Sequence, residues 1–197
     1  MPRPLAVAIT GGIGAGKSEA LKAFARHGAE TISSDEIVHQ LLREDREVRR
    51  ELVRRFGPGV RDETGAIDRR RVADVVFADR EELAWLEALL HPRVVERYLN
   101  WRAELAARPQ PPALCVTEVP LLYEVGGESR FDAVVVVTAS PQAREARGRT
   151  PPDDRESRLI PDDEKARRAD FAYVNEGSLD ELDSWVAGVV EELSRRA

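Results

Sequence analysis

The sequence predicts an α/β fold, a doubly wound parallel sheet of five strands, and three observations carry that prediction. Short apolar runs alternate with segments of helical periodicity along the chain. Ala133–Thr138 is almost unbroken valine, the pattern of a parallel strand covered on both faces. The first apolar run, Leu5–Thr10, leads into Gly11-Gly-Ile-Gly-Ala-Gly-Lys-Ser18, a glycine-rich turn that joins a strand to a helix. Right-handed crossovers between parallel strands follow from the alternation.

After the glycine turn a helix is expected from about Lys17 to Arg26, with Ala20, Leu21, Phe24 and Ala25 on its apolar face and His27-Gly28 closing it. Glu30–Ser33 reads as a second strand, with Asp35 just past its end. Ile37, Val38, Leu41 and Leu42 keep helical spacing, as do Val48, Leu52, Val53 and Phe56 before the break at Gly57-Pro58-Gly59. Arg61–Ala66 is a polar turn or small hairpin. Helical periodicity then runs from Asp68 to Asn100, where Pro92 is expected to interrupt or kink it, because proline lacks a donor and clashes with the preceding turn. Arg108–Ala113 is a proline-rich connector to the third strand, Leu114–Val119, which stops at Pro120. Ala133–Thr138 is the fourth strand. Ser140-Pro141 starts a helix that Gly148 and Pro151-Pro152 end early. Arg155–Arg168 is charged and helical in part, Phe171–Val174 is a fifth strand, and Ser178 caps a final helix through Leu193. The expected organisation is a single domain over residues 1–197. Its core is about 1–45 and 110–197, its helical lobe about 46–108 and its lid about 141–168.

Hydrophobic residues make up 42% of the 197, ordinary for a globular protein. The net charge of −6 disfavours nucleic acid as the main partner, although arginine greatly outnumbers lysine and basic patches can form locally. A single cysteine, Cys115, excludes an intramolecular disulfide and suits a reducing compartment; its apolar neighbours make it a buried, inert thiol. No apolar run reaches membrane-span length and the N-terminus lacks the apolar core of a signal peptide, so a cytoplasmic protein is expected.

The glycine turn carries the chemistry. Successive backbone N–H groups of such a loop point inward at a phosphate chain, and a Cβ would block the approach. The following helix aims its positive dipole end at the same anion. Gly12, Ile13, Gly14, Ala15, Gly16, Lys17, Ser18 and Glu19 therefore form the candidate ATP cradle, with Lys17 neutralising β/γ-phosphate charge and the Ser18 hydroxyl ligating Mg²⁺. No Asn-Lys-x-Asp base-reading segment is present and no Asp-x-x-Gly switch is expected, which weighs against a GTPase. Asp35, 18 residues after Lys17, can accept a proton from an attacking hydroxyl; it serves equally well as N-cap of a helix starting at Glu36. Arg144, Arg147, Arg149, Arg155 and Arg158 form either a lid over ATP or a solvated charged face. Glu118, ending an apolar strand, is placed to hold a Mg²⁺-ligated water. His91 either donates to a substrate phosphate or base, or is a structural histidine before Pro92. Arg69 and Arg70 either pair with acceptor phosphates or cap a helix face.

Ile9-Thr-Gly-Gly-Ile-Gly-Ala-Gly-Lys-Ser18 and Ser34-Asp35-Glu-Ile-Val-His-Gln40 resemble the dephospho-CoA kinase family of P-loop kinases. So do Ile67-Asp-Arg-Arg70, Val76-Phe77, Leu89-Leu-His-Pro92, Glu118-Val-Pro-Leu-Leu-Tyr-Glu124, Ala169-Asp170, Asn175 and Gly177, in order over nearly the whole chain. The resemblance implies a nucleoside monophosphate kinase-like fold. It implies transfer of the γ-phosphate of ATP, with Mg²⁺, to the ribose 3′-hydroxyl of dephospho-CoA, the last step of coenzyme A synthesis. It makes Asp35 the base and Arg147 a lid arginine on ATP. It puts the CoA-binding side on the helical region holding His91, with Arg69, and on the loop that opens with Pro120 and Leu121. ATP and dephospho-CoA are the expected partners of a monomer or weak homo-oligomer. Three features depart from the family pattern. Glu19 follows Lys-Ser where threonine is usual, Ser33-Ser34-Asp35 replaces Asp-x-Asp, and the lid is shorter between Arg147 and Lys165. They keep two alternatives open: another small-metabolite or nucleotide kinase of this fold, or a catalytically weak nucleotide-binding protein.

Overall fold

Ala6, Val7, Ala8 and Ile9 are all fully buried, so the strand that carries them must be covered on both faces. It is the centre of a five-stranded sheet in a computed structural model that describes residues 3–148 and 159–196. The strands are β1 (Leu5–Gly11), β2 (Glu30–Ser33), β3 (Leu114–Glu118), β4 (Ala133–Thr138) and β5 (Phe171–Val174). Their spatial order is β2-β3-β1-β4-β5 and every neighbouring pair is parallel. Register sets Ile9 beside Glu118 and Val135, and Ser33 beside Glu118. Chain order reverses around β1, so the crevice beyond its carboxyl end is where a sheet of this kind takes its ligand.

Alternation along β1 sorts the core. Val7 and Ile9 face α1 (Lys17–Arg26) and the C-terminal helix α8 (Leu179–Ser194), where Phe24, Val186 and Leu193 are fully buried. Ala8 faces the opposite layer with Leu122, Tyr123, Val134 and Val136. Ala6 packs with Leu105 and Cys115, and burial pushes the Cys115 thiol pKa up, as its expected inertness requires. Short helices α6 (Pro141–Ala146) and α7 (Asp162–Arg168) precede β5. Ser140 caps α6 by accepting from Ala143 N–H, and Ser178 and Glu181 form a reciprocal capping box at α8. Of the arginines expected in the lid, Arg149, Arg155 and Arg158 lie outside the described residues, as do Pro151 and Pro152. No described helix is long and apolar enough to cross a membrane.

The chain divides into two compact units, residues 1–33 with 101–197, and residues 34–100. The second is helical: α2 (Ser34–Glu44), α3 (Arg46–Phe56), α4 (Arg69–Ala78) and most of α5 (Arg80–Ala106). Asp45 caps α3 and Asp68 caps α4, each through its carboxylate. Phe56 meets Trp85 edge to face at 5.3 Å, and Arg55 stacks on the same ring while bonding Glu82. Asp62-Glu-Thr-Gly65 spells a switch-like Asp-x-x-Gly, but its carboxylate is spent on Thr64 and Ala66 N–H in a closed turn.

One expectation is corrected here. The long helical stretch is not interrupted at Pro92, which lies inside α5; the break falls at Asp79 instead. Asp79 is extended and its carboxylate accepts from Glu81 N–H at 2.8 Å, so it ends α4 and starts α5 at once. One residue after Pro92, the Arg93 guanidinium donates to the Leu89 carbonyl at 2.7 Å.

Lys165, on α7, is completely buried and pairs with Glu124 of the loop after β3 at 2.7 Å. Removing one partner of such a pair leaves an uncompensated buried charge. Lys165→Ala is expected to cost about 3–5 kcal/mol, a thermal midpoint drop of roughly 6–20 °C for a chain of this size. Replacing both partners, Lys165→Met with Glu124→Leu, is expected to cost far less. Thermal melts of the two variants check this; equal losses would mean that the side-chain volumes, not the charges, hold α7.

Candidate active site

Gly11 ends β1 at φ 137°, with its Cα so close to β4 that a Cβ would sit 1.9 Å from the Val137 carbonyl oxygen. Gly16 starts α1 at φ 102° and no side chain caps that helix. Uncapped leading N–H groups and the helix dipole leave an anion-binding start at Lys17. Lys17 Nζ folds back to donate to the Gly12 carbonyl at 2.8 Å and the Gly11 carbonyl at 3.1 Å. Both acceptors are neutral, so a phosphate oxygen outcompetes them.

Ser18 Oγ lies 3.4 Å from both carboxylate oxygens of Glu118, a residue 5% exposed at the carboxyl end of β3. A cleft of about 330 Å³ opens over the loop, walled in part by Lys17, Ser18, Glu118 and Arg147. Glu19 pairs with Lys22 at 2.8 Å along α1, which offsets its charge beside the cleft. Arg147 follows α6 and is exposed; its guanidinium donates to the carbonyl oxygen of Asn175 at 2.7 Å and to Asn175 Oδ1 at 3.2 Å. Arg144 is buried, donates to the Ala139 carbonyl at 2.9 Å, and pairs with Asp162 against the loop at Gly12. The structure thus brings the loop, Ser18, Glu118 and Arg147 together.

Pro120 and Leu121 open the loop after β3, where the Pro120 carbonyl accepts from Thr10 Oγ1 at 3.2 Å. Asp35, Arg69 and His91 belong to the helical unit. Asp35 is exposed in the first turn of α2, which starts directly after β2 at Ser34. The N-cap alternative is therefore corrected: the helix begins one residue before Asp35, and the residue lies inside it. Arg69 opens α4 behind the Asp68 cap and meets His39 Nδ1 at 3.1 Å, and Arg70 is exposed in the same turn. His91 is exposed on α5.

Sequence reasoning gave no role to Asn175 or Asp162, both of which touch the loop. The signal for Asn175 was its place just past a strand end at the ligand-binding edge; Asp162 carried none, since an acid in the first turn of a short helix is commonplace.

The chain matches known proteins throughout its length. The family model for dephospho-CoA kinase matches residues 5–181. The dephospho-CoA kinase of Chlorobaculum tepidum is 38% identical over 200 residues, 96% of this chain and 95% of that one. The dephospho-CoA kinase of Thermobifida fusca is 37% identical over 98% of both chains. Among solved structures, TT1252 from Thermus thermophilus aligns with a TM-score of 0.75 at 32% identity, covering 98% of this chain and 99% of that one. Shikimate kinase from Aquifex aeolicus, at 13% identity and TM-score 0.53 over 95% and 97%, shares the fold alone. With the phosphate-binding loop, the parallel sheet and its Ser18–Glu118 edge in place, these matches show that the chain is a phosphotransferase and belongs to the dephospho-CoA kinase family.

Proposed function

We propose that this kinase transfers the γ-phosphoryl group of ATP to the ribose 3′-hydroxyl of dephospho-CoA, releasing ADP and CoA. The observation that carries the reading is the loop of Gly12–Glu19 beside Ser18 and Glu118, in a chain of this family. The loop N–H groups and Lys17 hold the β- and γ-phosphates, Lys17 leaving the Gly11 and Gly12 carbonyls to do so. Arg147, on the cleft wall, contacts the phosphates from the lid side. Asp35 takes the proton of the 3′-hydroxyl as its oxygen bonds the γ-phosphorus and the bond to the bridging oxygen of ADP breaks. Arg69, His91, Pro120 and Leu121 hold the acceptor, with the helical unit supplying the room a pantetheine-bearing nucleotide needs.

The donor set suits Mg²⁺. Ser18 Oγ and the Glu118 carboxylate are hard oxygen donors within reach of one another, and the described residues include no group of three or more His, Cys, Asp or Glu able to hold a metal alone. Ser18 and Glu118 would hold an ion that arrives with the nucleotide. When bound, the ion neutralises charge on the β- and γ-oxygens. We place the enzyme in the cytoplasm as a monomer or weak homo-oligomer.

The test is ADP release with ATP, Mg²⁺ and dephospho-CoA against ATP alone, with the product identified by mass. Acceptor-dependent release of ADP and CoA is expected. ATP binding with no acceptor-dependent release would overturn the reading.

A further inference from the structure

Asn175 ends β5 with its backbone N–H donating to the Thr138 carbonyl at 2.7 Å, and the residue is only 5% exposed. A buried amide needs a partner at each end. Its Nδ2 donates to the Ala15 carbonyl at 2.9 Å, and its Oδ1 accepts from the Arg147 guanidinium at 3.2 Å. The first bond depends on glycine at position 16, where a Cβ would come 2.3 Å from Nδ2.

We propose that Asn175 is a positioning residue for phosphoryl transfer: its amide fixes the Ala15–Gly16 peptide of the phosphate-binding loop and docks Arg147 beside the nucleotide cleft. In a trans peptide the C=O and the following N–H point in opposite directions. Holding the Ala15 carbonyl toward Asn175 turns the Gly16 N–H away from Asn175, and Gly16 and Lys17 both line the cleft. That N–H becomes a preorganised phosphate donor, which needs no reorientation when ATP arrives. The other end of the amide holds Arg147 to the same point, and the Asn175 carbonyl doubles the contact at 2.7 Å. One side chain therefore sets both the loop and the lid arginine.

The chemistry is specific to asparagine. Aspartate has an acceptor for Arg147 but turns a second acceptor on the Ala15 carbonyl. Alanine offers neither bond. Glutamine is a methylene longer and would press into Gly16, already in contact.

The proposal rests on the reading that the cleft holds ATP, and two measurements keep the two apart. Calorimetric ATP affinity without acceptor reports on Asn175 even where acceptor turnover fails, and wild-type turnover with dephospho-CoA reports on the reading. Asn175→Ala is expected to lower kcat/KM for ATP by about 30–100-fold, the effect of an ångström-scale misplacement, and to weaken ATP affinity while leaving the acceptor KM unchanged. The double variant with Arg147→Ala should fall little further than the worse single variant, because the two residues act as one unit. Asn175→Asp, of nearly the same shape, should fall at least as far as the alanine variant, which keeps the test open if alanine prevents folding. An alanine variant within threefold of wild type would overturn the proposal. So would fully multiplicative losses in the double variant, or a loss shared equally by ATP and acceptor with a lowered melting temperature.

Discussion

Lys17→Ala is expected to lower kcat/KM for ATP by about three orders of magnitude or more while the protein stays folded. Two effects add. A charged hydrogen bond to the β/γ-phosphates is worth about 1.5–3 kcal/mol in binding. A fixed donor aimed at charge that grows in the transition state adds about 10²–10³ in kcat. The fold loses little, since Lys17 Nζ holds the Gly11 and Gly12 carbonyls with 3.1 and 2.8 Å bonds on the wall of an open cleft. Water can replace it at both acceptors. Steady-state kinetics with a thermal melt of the same preparation check the result. Turnover like the wild type would remove the loop from the mechanism, whatever its shape.

Much of the architecture was legible because the chain is locally consistent. The valines of Ala133–Thr138 are buried on both faces, as a central parallel strand requires, and the five strands fall where the sequence placed them, β2 included although Glu30–Ser33 is no apolar run. Caps were equally readable: Ser140 and Ser178 do the work their types suggest. That the helical stretch is cut at Asp79, and not interrupted at Pro92, has a physical cause. Periodicity marks a helical stretch but says little about where it is cut, and the cut falls where the extended Asp79 ends one helix and its carboxylate caps the next, while Pro92 is accommodated inside α5.

The candidate site divides in the same way. Gly11–Ser18 was legible because phosphate chemistry writes itself into consecutive residues. Glu118 was singled out by its place at a strand end and Arg147 by a late cluster of arginines and the family resemblance, and both share the cleft wall with Lys17. The contacts that brace the site were not legible. Asn175 meets Ala15 from 160 residues away in sequence, Asp162 of α7 meets Arg144 of α6, and Lys165 is buried on a short, highly charged helix. Pairings of that kind belong to tertiary structure, and no local pattern announces them.

Asp35→Asn is expected to reduce kcat by about 10²–10⁴, the range a positioned general base contributes, while the KM values for ATP and acceptor change little. Asparagine keeps the size and the acceptor oxygen but cannot take a proton, so only the transition state should feel the change. Stability is a weak competitor for the effect. Asp35 is exposed in the first turn of α2, where an acid is worth about 0.3–1 kcal/mol against the helix dipole. That loss would move the melting temperature by a few degrees and leave kcat per folded molecule untouched. Glu36, next to it in the same turn, supplies the control: Glu36→Gln removes a comparable dipole partner and should leave kcat at the wild-type level. A large kcat loss in Asp35→Asn beside a silent Glu36→Gln would assign Asp35 to proton transfer. Silence in both would leave Asp35 as an acid that its place at the start of α2 already explains.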